Sequence, residues 1–362
     1  MAHNIADIFE KTVGPEITRL ADNLYGLELD PDRMMREEYP EMNRSIAAMF
    51  SQAGFTADKI GTDFIFPGFD DLFCLLKIKS LYESRDFERI MVDCAPTGET
   101  LSLLKLPELL AWYMERFFPV GKMMVRVLSP ISRYRYHVNL PTSQGMDDIG
   151  RLHGHLMELQ ELLKNPQISS VRLVCTLEKM VVEETKRSYM YLNLYGYQVD
   201  GLFVNRLLPR QKENLFLRHW RQIQDKYMTE IGMVFYDLPI HSIPWMPEEI
   251  RGMEAVERMV DSIFTEEYAA HYADLSACTE HEIYEKTADG YLLRLQLPGI
   301  EDREKELQVL SHGPDLDLIL GHMQRRIPLP DLLRAAAIKE VRCENGELGI
   351  YFSVEENPIP HE

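Results

Sequence analysis

The stretch "IMVDCAPTGETLSLLKLP", residues 90–107, joins an apolar run ending on Asp93 to Ala-Pro-Thr-Gly and then to a helical pattern. An acid at the carboxyl end of a buried strand has two uses. It forms a turn and caps the next helix, or it faces a ligand in the crevice where open parallel sheets bind their ligands. The rest of the chain has to decide between them.

Upstream and downstream, strand-like runs alternate with helical patterns. "NLYGLELD" (23–30), "FERIMVDC" (87–94), "SVRLVCTL" (170–177) and "VDGLFVNRL" (199–207) read as strands,. Helical spacing covers 32–53, 68–84, 105–118, 146–164 and 179–195. Strand and helix in alternation predict an α/β fold, a doubly wound, mostly parallel sheet. After residue 272 the texture changes. A polar linker, 273–282, precedes strict two-residue alternation in "YLLRLQLPG" and "LGIYFSV", and Asn345-Gly346 has the chemistry of a two-residue hairpin turn,. The expected domains are 1–272, α/β, and 283–356, a small all-β sandwich.

With 58 acidic against 39 basic residues the net charge is -19. Such a chain repels phosphate backbones and anionic membranes, so nucleic acid is not an expected partner. A single nucleotide is still admissible, because local amides and a metal ion can hold it. Five dispersed cysteines without a Cys-x-x-Cys pair suggest a reducing cytoplasm and no zinc site,. The most apolar long stretch, 106–128, is interrupted by charges and does not read as a membrane span,.

Asp93 followed by Pro96-Thr97-Gly98 has what a nucleoside-triphosphate site needs. There is an acid to hold the water shell of Mg²⁺ and a Gly-containing turn to sense the terminal phosphate,. "VDCAPTGETLSLLKLPE" resembles the switch II region of the ArsA family of P-loop ATPases, which serve arsenite efflux and the targeting of tail-anchored proteins. "LEKMVVEETKRSYMYLNLYGYQVDGLFVNRLLP" (177–209) is similar to the family's Glu-Thr-x-Arg helix and the strand ending in an Asn that contacts adenine. "IPWMPEEIRGMEAV" (243–256) resembles the segment that closes over the base. The likeness covers roughly residues 1–265.

That resemblance implies ATP and Mg²⁺ as cofactors. Asp93 would hold the metal through water, Gly98 would carry the switch, Asn205 would read adenine, and Pro244 and Trp245 would pack on it. Taken by themselves, Asn205 reads equally as a strand-end cap, Trp245 as core or surface, and Glu184, Thr185 and Arg187 as a solvated helix face. "MAHNIADIF" resembles the family's switch I entered one residue late, with His3, Asn4 and Asp7 matching and the water-orienting Asp absent. No Gly-rich loop ending in Lys-Ser or Lys-Thr occurs in the sequence. The missing strand, loop, helix and strand amount to about 30 or more residues. The expectation is a start assigned too late in a longer ATPase, and ATP and Mg²⁺ are expected only if that unit exists.

Residues 283–356 resemble, more weakly, the α-crystallin domain of small heat-shock proteins. The alternative reading is therefore a non-catalytic, chaperone-like binding protein on the same fold. By resemblance the protein is a homodimer. Met114, Phe117, Phe118, Met123, Met124, Met146 and Met157 read first as core residues; the alternative is a groove for an apolar client helix or a membrane-protein partner,. A metalloid site on Cys94 and Cys175 is the third reading, although small cysteines inside strands are ordinarily core.

Overall fold

The computed structural model describes residues 4–29, 33, 69–94, 143–210, 215–236, 238–264, 282–288, 290–321, 323–334 and 336–353. By their contacts they form two compact units, Met1–Leu162 with Glu249–Met259, and Leu163–Glu248 with Val260–Glu362. The predicted helices 32–53 and 105–118 fall outside the described residues.

In the first unit, α1 (Asn4–Phe9) precedes a hairpin of β1 (Thr18–Ala21) and β2 (Leu24–Gly26). The hairpin corrects one expectation. Residues 23–30 were read as part of the alternating parallel system, but Asn23 adopts φ 59° and turns the chain back on itself, so β2 is short and antiparallel,. Helices α2 (Phe69–Ser84) and α3 (Ser143–Lys164) fall where the helical spacing put them. Lys79 of α2 joins Glu83 at 2.7 Å and Glu158 of α3 at 2.9 Å.

The second unit begins with the parallel ladder. β3 (Val171–Thr176), β4 (Val199–Leu207) and β5 (Ile240–Pro244) are hydrogen-bonded in that order, with α4 (Lys179–Leu194) and α5 (Leu215–Val234) as crossovers. This is the predicted α/β sheet. α4 ends in a Schellman turn. Tyr197 N–H reaches Leu192 O at 2.9 Å and Gly196 N–H reaches Asn193 O at 3.0 Å, with Gly196 at φ 76°,. α6 (Gly252–Ile263) follows β5.

The β domain is a two-sheet sandwich. β6 (Glu282–Thr287) and β7 (Gly290–Gln296) open it, and β8 (Leu307–His312), β9 (Asp315–Leu320) and β10 (Met323–Pro328) form a three-stranded antiparallel sheet. β11 (Ala337–Glu344) and β12 (Glu347–Ser353) complete the facing sheet, β11-β12-β7-β6. Leu293, Leu295, Leu316, Leu318, Leu320, Leu348, Ile350 and Phe352 are buried between the sheets, as the alternation predicts. Asn345 (φ 55°) and Gly346 (φ 75°) make the β11-β12 turn, as their left-handed preference requires.

Asp317 is buried on β9 and accepts two bonds from Arg326, at 2.8 and 3.1 Å. The Arg326 guanidinium holds its carboxyl below the usual carboxylate range,. A folded-state pKa below the unfolded one contributes stability that is fully present above the unfolded value, about 3.9, and is lost as pH falls through the folded value. In acid titrations followed by circular dichroism, Asp317→Asn is expected to lower stability at neutral pH and to flatten its fall below about pH 4. An unchanged acid slope would refute the assignment.

Candidate nucleotide site

Three of the predicted site residues lie along the carboxyl rim of the parallel ladder. Asn205 pairs with Thr176, the last residue of β3, and lies near the end of β4. Leu207 pairs with Pro244, the last residue of β5, and Trp245 N–H donates to Leu207 O at 2.8 Å. Pro244 is exposed, and Trp245 is 58% exposed although it is a large aromatic. Ligands of open α/β sheets bind outside this rim. An exposed indole and a carboxamide on one rim supply a stacking face and an edge that can hydrogen-bond, the combination a purine base needs.

The geometry of the rim is set by groups that the sequence reading missed. Arg206 sits at φ 58°, an uncommon conformation for a residue with a side chain,. The β4-β5 register shifts between Val204 and Leu207 as a result, an irregularity of the kind that re-aims side chains near functional sites. Arg206 N–H donates to Asn205 Oδ1 at 2.8 Å, so the oxygen of the carboxamide is turned back on the backbone. The Nδ2 donors are left for an outside acceptor. Gln224 of α5 pins the same turn, accepting from Leu208 N–H at 3.0 Å and donating to Arg206 O at 3.2 Å. No local signal marks Gln224, because it lies on a crossover helix and its partners belong to the turn after β4.

Beneath the rim, Phe203 and His241 lie 5.0 Å apart between ring centres, and Phe264 lies within 6.2 Å of both. On α4, Glu184 and Arg187 pair with each other and are half exposed, as a solvated helix face would have them. Thr185 differs. It is buried, and its hydroxyl donates to Val181 O at 2.7 Å.

The expectation for residues 87–94 fares differently. Residues 87–94 were predicted to be a buried strand, but in the structure they are not in a strand. Met91 is 79% exposed, and Asp93 and Cys94 are exposed as well. An apolar run becomes a strand only where neighbouring strands accept its backbone bonds, and 90–94 has no such neighbour among the described residues. Asp93 therefore stands on irregular backbone and not at a strand end. His3 and Gly98 lie outside the described residues. Among the described residues no three His, Cys, Asp or Glu side chains are grouped to hold a metal.

The cysteine expectations divide. Cys175 is core, as expected for a strand cysteine, and burial pushes its thiol up to about 11, away from the thiolate that a metalloid would need. Cys94 is exposed and in no strand, against the expectation. Of the methionine-rich region Met157 has a described side chain, and it is half-buried. No described helix is long and apolar enough to cross a membrane.

Comparison with known proteins bears on the whole chain. A family model described as "Anion-transporting ATPase" matches residues 1–265, and one described as "HSP20-like domain found in ArsA" matches 288–352. A "Putative arsenical pump-driving ATPase" of Chlorobaculum tepidum is 30% identical over 99% of this chain and 88% of its own length. A "Putative arsenical pump-driving ATPase 1" of Aquifex aeolicus is 28% identical over 97% of this chain and 90% of its own. An "ATPase GET3A" of Arabidopsis thaliana is 26% identical over 86% of this chain and 84% of its own. With the family's model matched along residues 1–265 and the parallel ladder of its fold in place, this chain belongs to the ArsA-type anion-transporting ATPase family and carries that family's HSP20-like domain.

Proposed function

We propose that the protein is a Mg²⁺-dependent ATP hydrolase whose adenine end is the rim formed by Asn205, Pro244 and Trp245. The observation that supports it is the convergence of an exposed indole and an unspent amide donor at the carboxyl ends of adjacent parallel strands. Asn205 Nδ2 would donate to a ring nitrogen of the base, and Trp245 would cover the ring face. The donor set fits the base. Asp93 would hold Mg²⁺ through its water shell, Gly98 would carry the switch, and His3 would belong to the segment facing the attacking water. When bound, Mg²⁺ supplies charge neutralisation for the phosphates.

On this reading the protein works as a homodimer in the cytoplasm, and its hydrolysis cycle opens and closes a site for an apolar client helix or an anion. A second reading is favoured by the sandwich itself, which forms a complete two-sheet core. On that reading the HSP20-like domain holds clients without ATP.

Calorimetric titration is expected to show ATP bound more tightly than GTP, with Asn205→Ala costing about 3- to 10-fold in ATP affinity, the value of one hydrogen bond. Retention of full affinity and base preference in Asn205→Ala and Trp245→Ala would refute the adenine site. Asp93→Asn is expected to abolish Mg²⁺-dependent phosphate release, and unchanged turnover would remove Asp93 from the metal. For the second reading, nucleotide-free protein should suppress aggregation of a heat-denatured client; no suppression would eliminate that activity.

A further inference from the structure

The second half of α4 is enclosed to an extent that packing on a sheet does not require. Every residue from Ser188 to Tyr195 is buried, and so are Tyr197 and Gln198. A helix lying on a sheet buries one stripe, and here that stripe packs on β3 and β4. The helix also packs on α5 and on β7 of the β domain. Leu292 of β7 is also buried, although it points away from the sandwich core residues Leu293 and Leu295.

Two arginines of the β domain hold the end of this helix. Arg303, in the 3-10 turn Glu301–Glu306, donates from Nη1 to the Tyr191 hydroxyl at 2.6 Å. Arg325 stands opposite Leu318 in the β9-β10 ladder, on the buried face with Met323 and Ile327. From there its guanidinium pairs with Glu282 of β6, whose other oxygen accepts from the Tyr284 hydroxyl at 3.2 Å. It also rests on the Gly196 turn, where a Cβ would come within 3.1 Å of Nη2. Gly196 is therefore required twice, by its φ of 76° and by this close approach,. A cation against the carboxyl end of a helix is favoured by the helix dipole. The sandwich alone has no need of it, since an apolar residue of similar volume fills such a position as well or better.

We propose that the β domain is a strap, clamped by Arg303 and Arg325 on the C-terminal turn of α4, so that it moves with β3, α4 and β4 as one body. The chain joining the domains at 265–281 is then not what keeps them together. The grouping of Leu163–Glu248 and Val260–Glu362 in one compact unit agrees with this. The inference does not depend on nucleotide, and it stands or falls apart from the adenine site.

The test is to place a protease recognition sequence within 265–281 of the full chain, cut it, and apply the product to size-exclusion chromatography. The two fragments are expected to co-elute. Arg303→Met with Arg325→Met should weaken their association at least tenfold. Tyr191→Phe, which removes one hydroxyl and keeps the ring, should weaken it severalfold. Arg342→Met, in an exposed pair with Glu340 on β11, should leave it unchanged. Separation of the wild-type fragments would overturn the clamp. So would co-elution of the double variant as tightly as wild type, or equal release by Arg342→Met.

Discussion

The turn after α4 carries two constraints at once. Its Schellman bonds, Tyr197 to Leu192 and Gly196 to Asn193, stop the helix and send the chain straight into β4,. β4 is the centre of the parallel ladder, paired on one edge with β3 and on the other with β5. If that turn moved, the register that pairs Asn205 with Thr176 and Leu207 with Pro244 would move with it. The rim is thus set at its far end by a glycine that sits under the Arg325 guanidinium.

Burial explains the odd composition of this segment. "SYMYLNLYGYQV", residues 188–199, mixes tyrosines with Ser, Asn and Gln and shows no clean polar face. A tyrosine suits a site closed on all sides because its ring fills volume while its hydroxyl can reach a partner. Tyr191 does both, with the Arg303 guanidinium 5.7 Å from its ring centre and bonded to its hydroxyl. Tyr189 instead packs on Phe235 at 4.9 Å, beyond the end of α5. One helix therefore serves two cores.

The candidate site was legible in part. Asn205, Pro244 and Trp245 were marked in the sequence by their resemblance to a family pattern, and the ladder brings them to one rim. The positive φ of Arg206, which produces the register shift, had no sequence signal, since Arg carries no preference for that conformation,. Gln224 was equally silent. Its two bonds to the turn exist because α5 crosses back over the sheet, a fact of topology and not of local composition.

By itself the sequence determined what depends on neighbours a few residues away. β4 runs from Val199 to Leu207 as read, α4 and α3 follow the 3.6-residue spacing, and the Asn345-Gly346 turn and the alternation of β7 and β12 follow from chirality and pleat,. Tertiary structure decided what depends on a distant partner. The apolar run 90–94 is not in a strand and has no strand neighbour among the described residues, and a strand requires neighbours for its backbone bonds,. Cys94 is exposed, whereas Cys175 is core because β4 pairs beside it. Arg325, which a pattern reading would put in water, is buried because a helix end arrives to meet it.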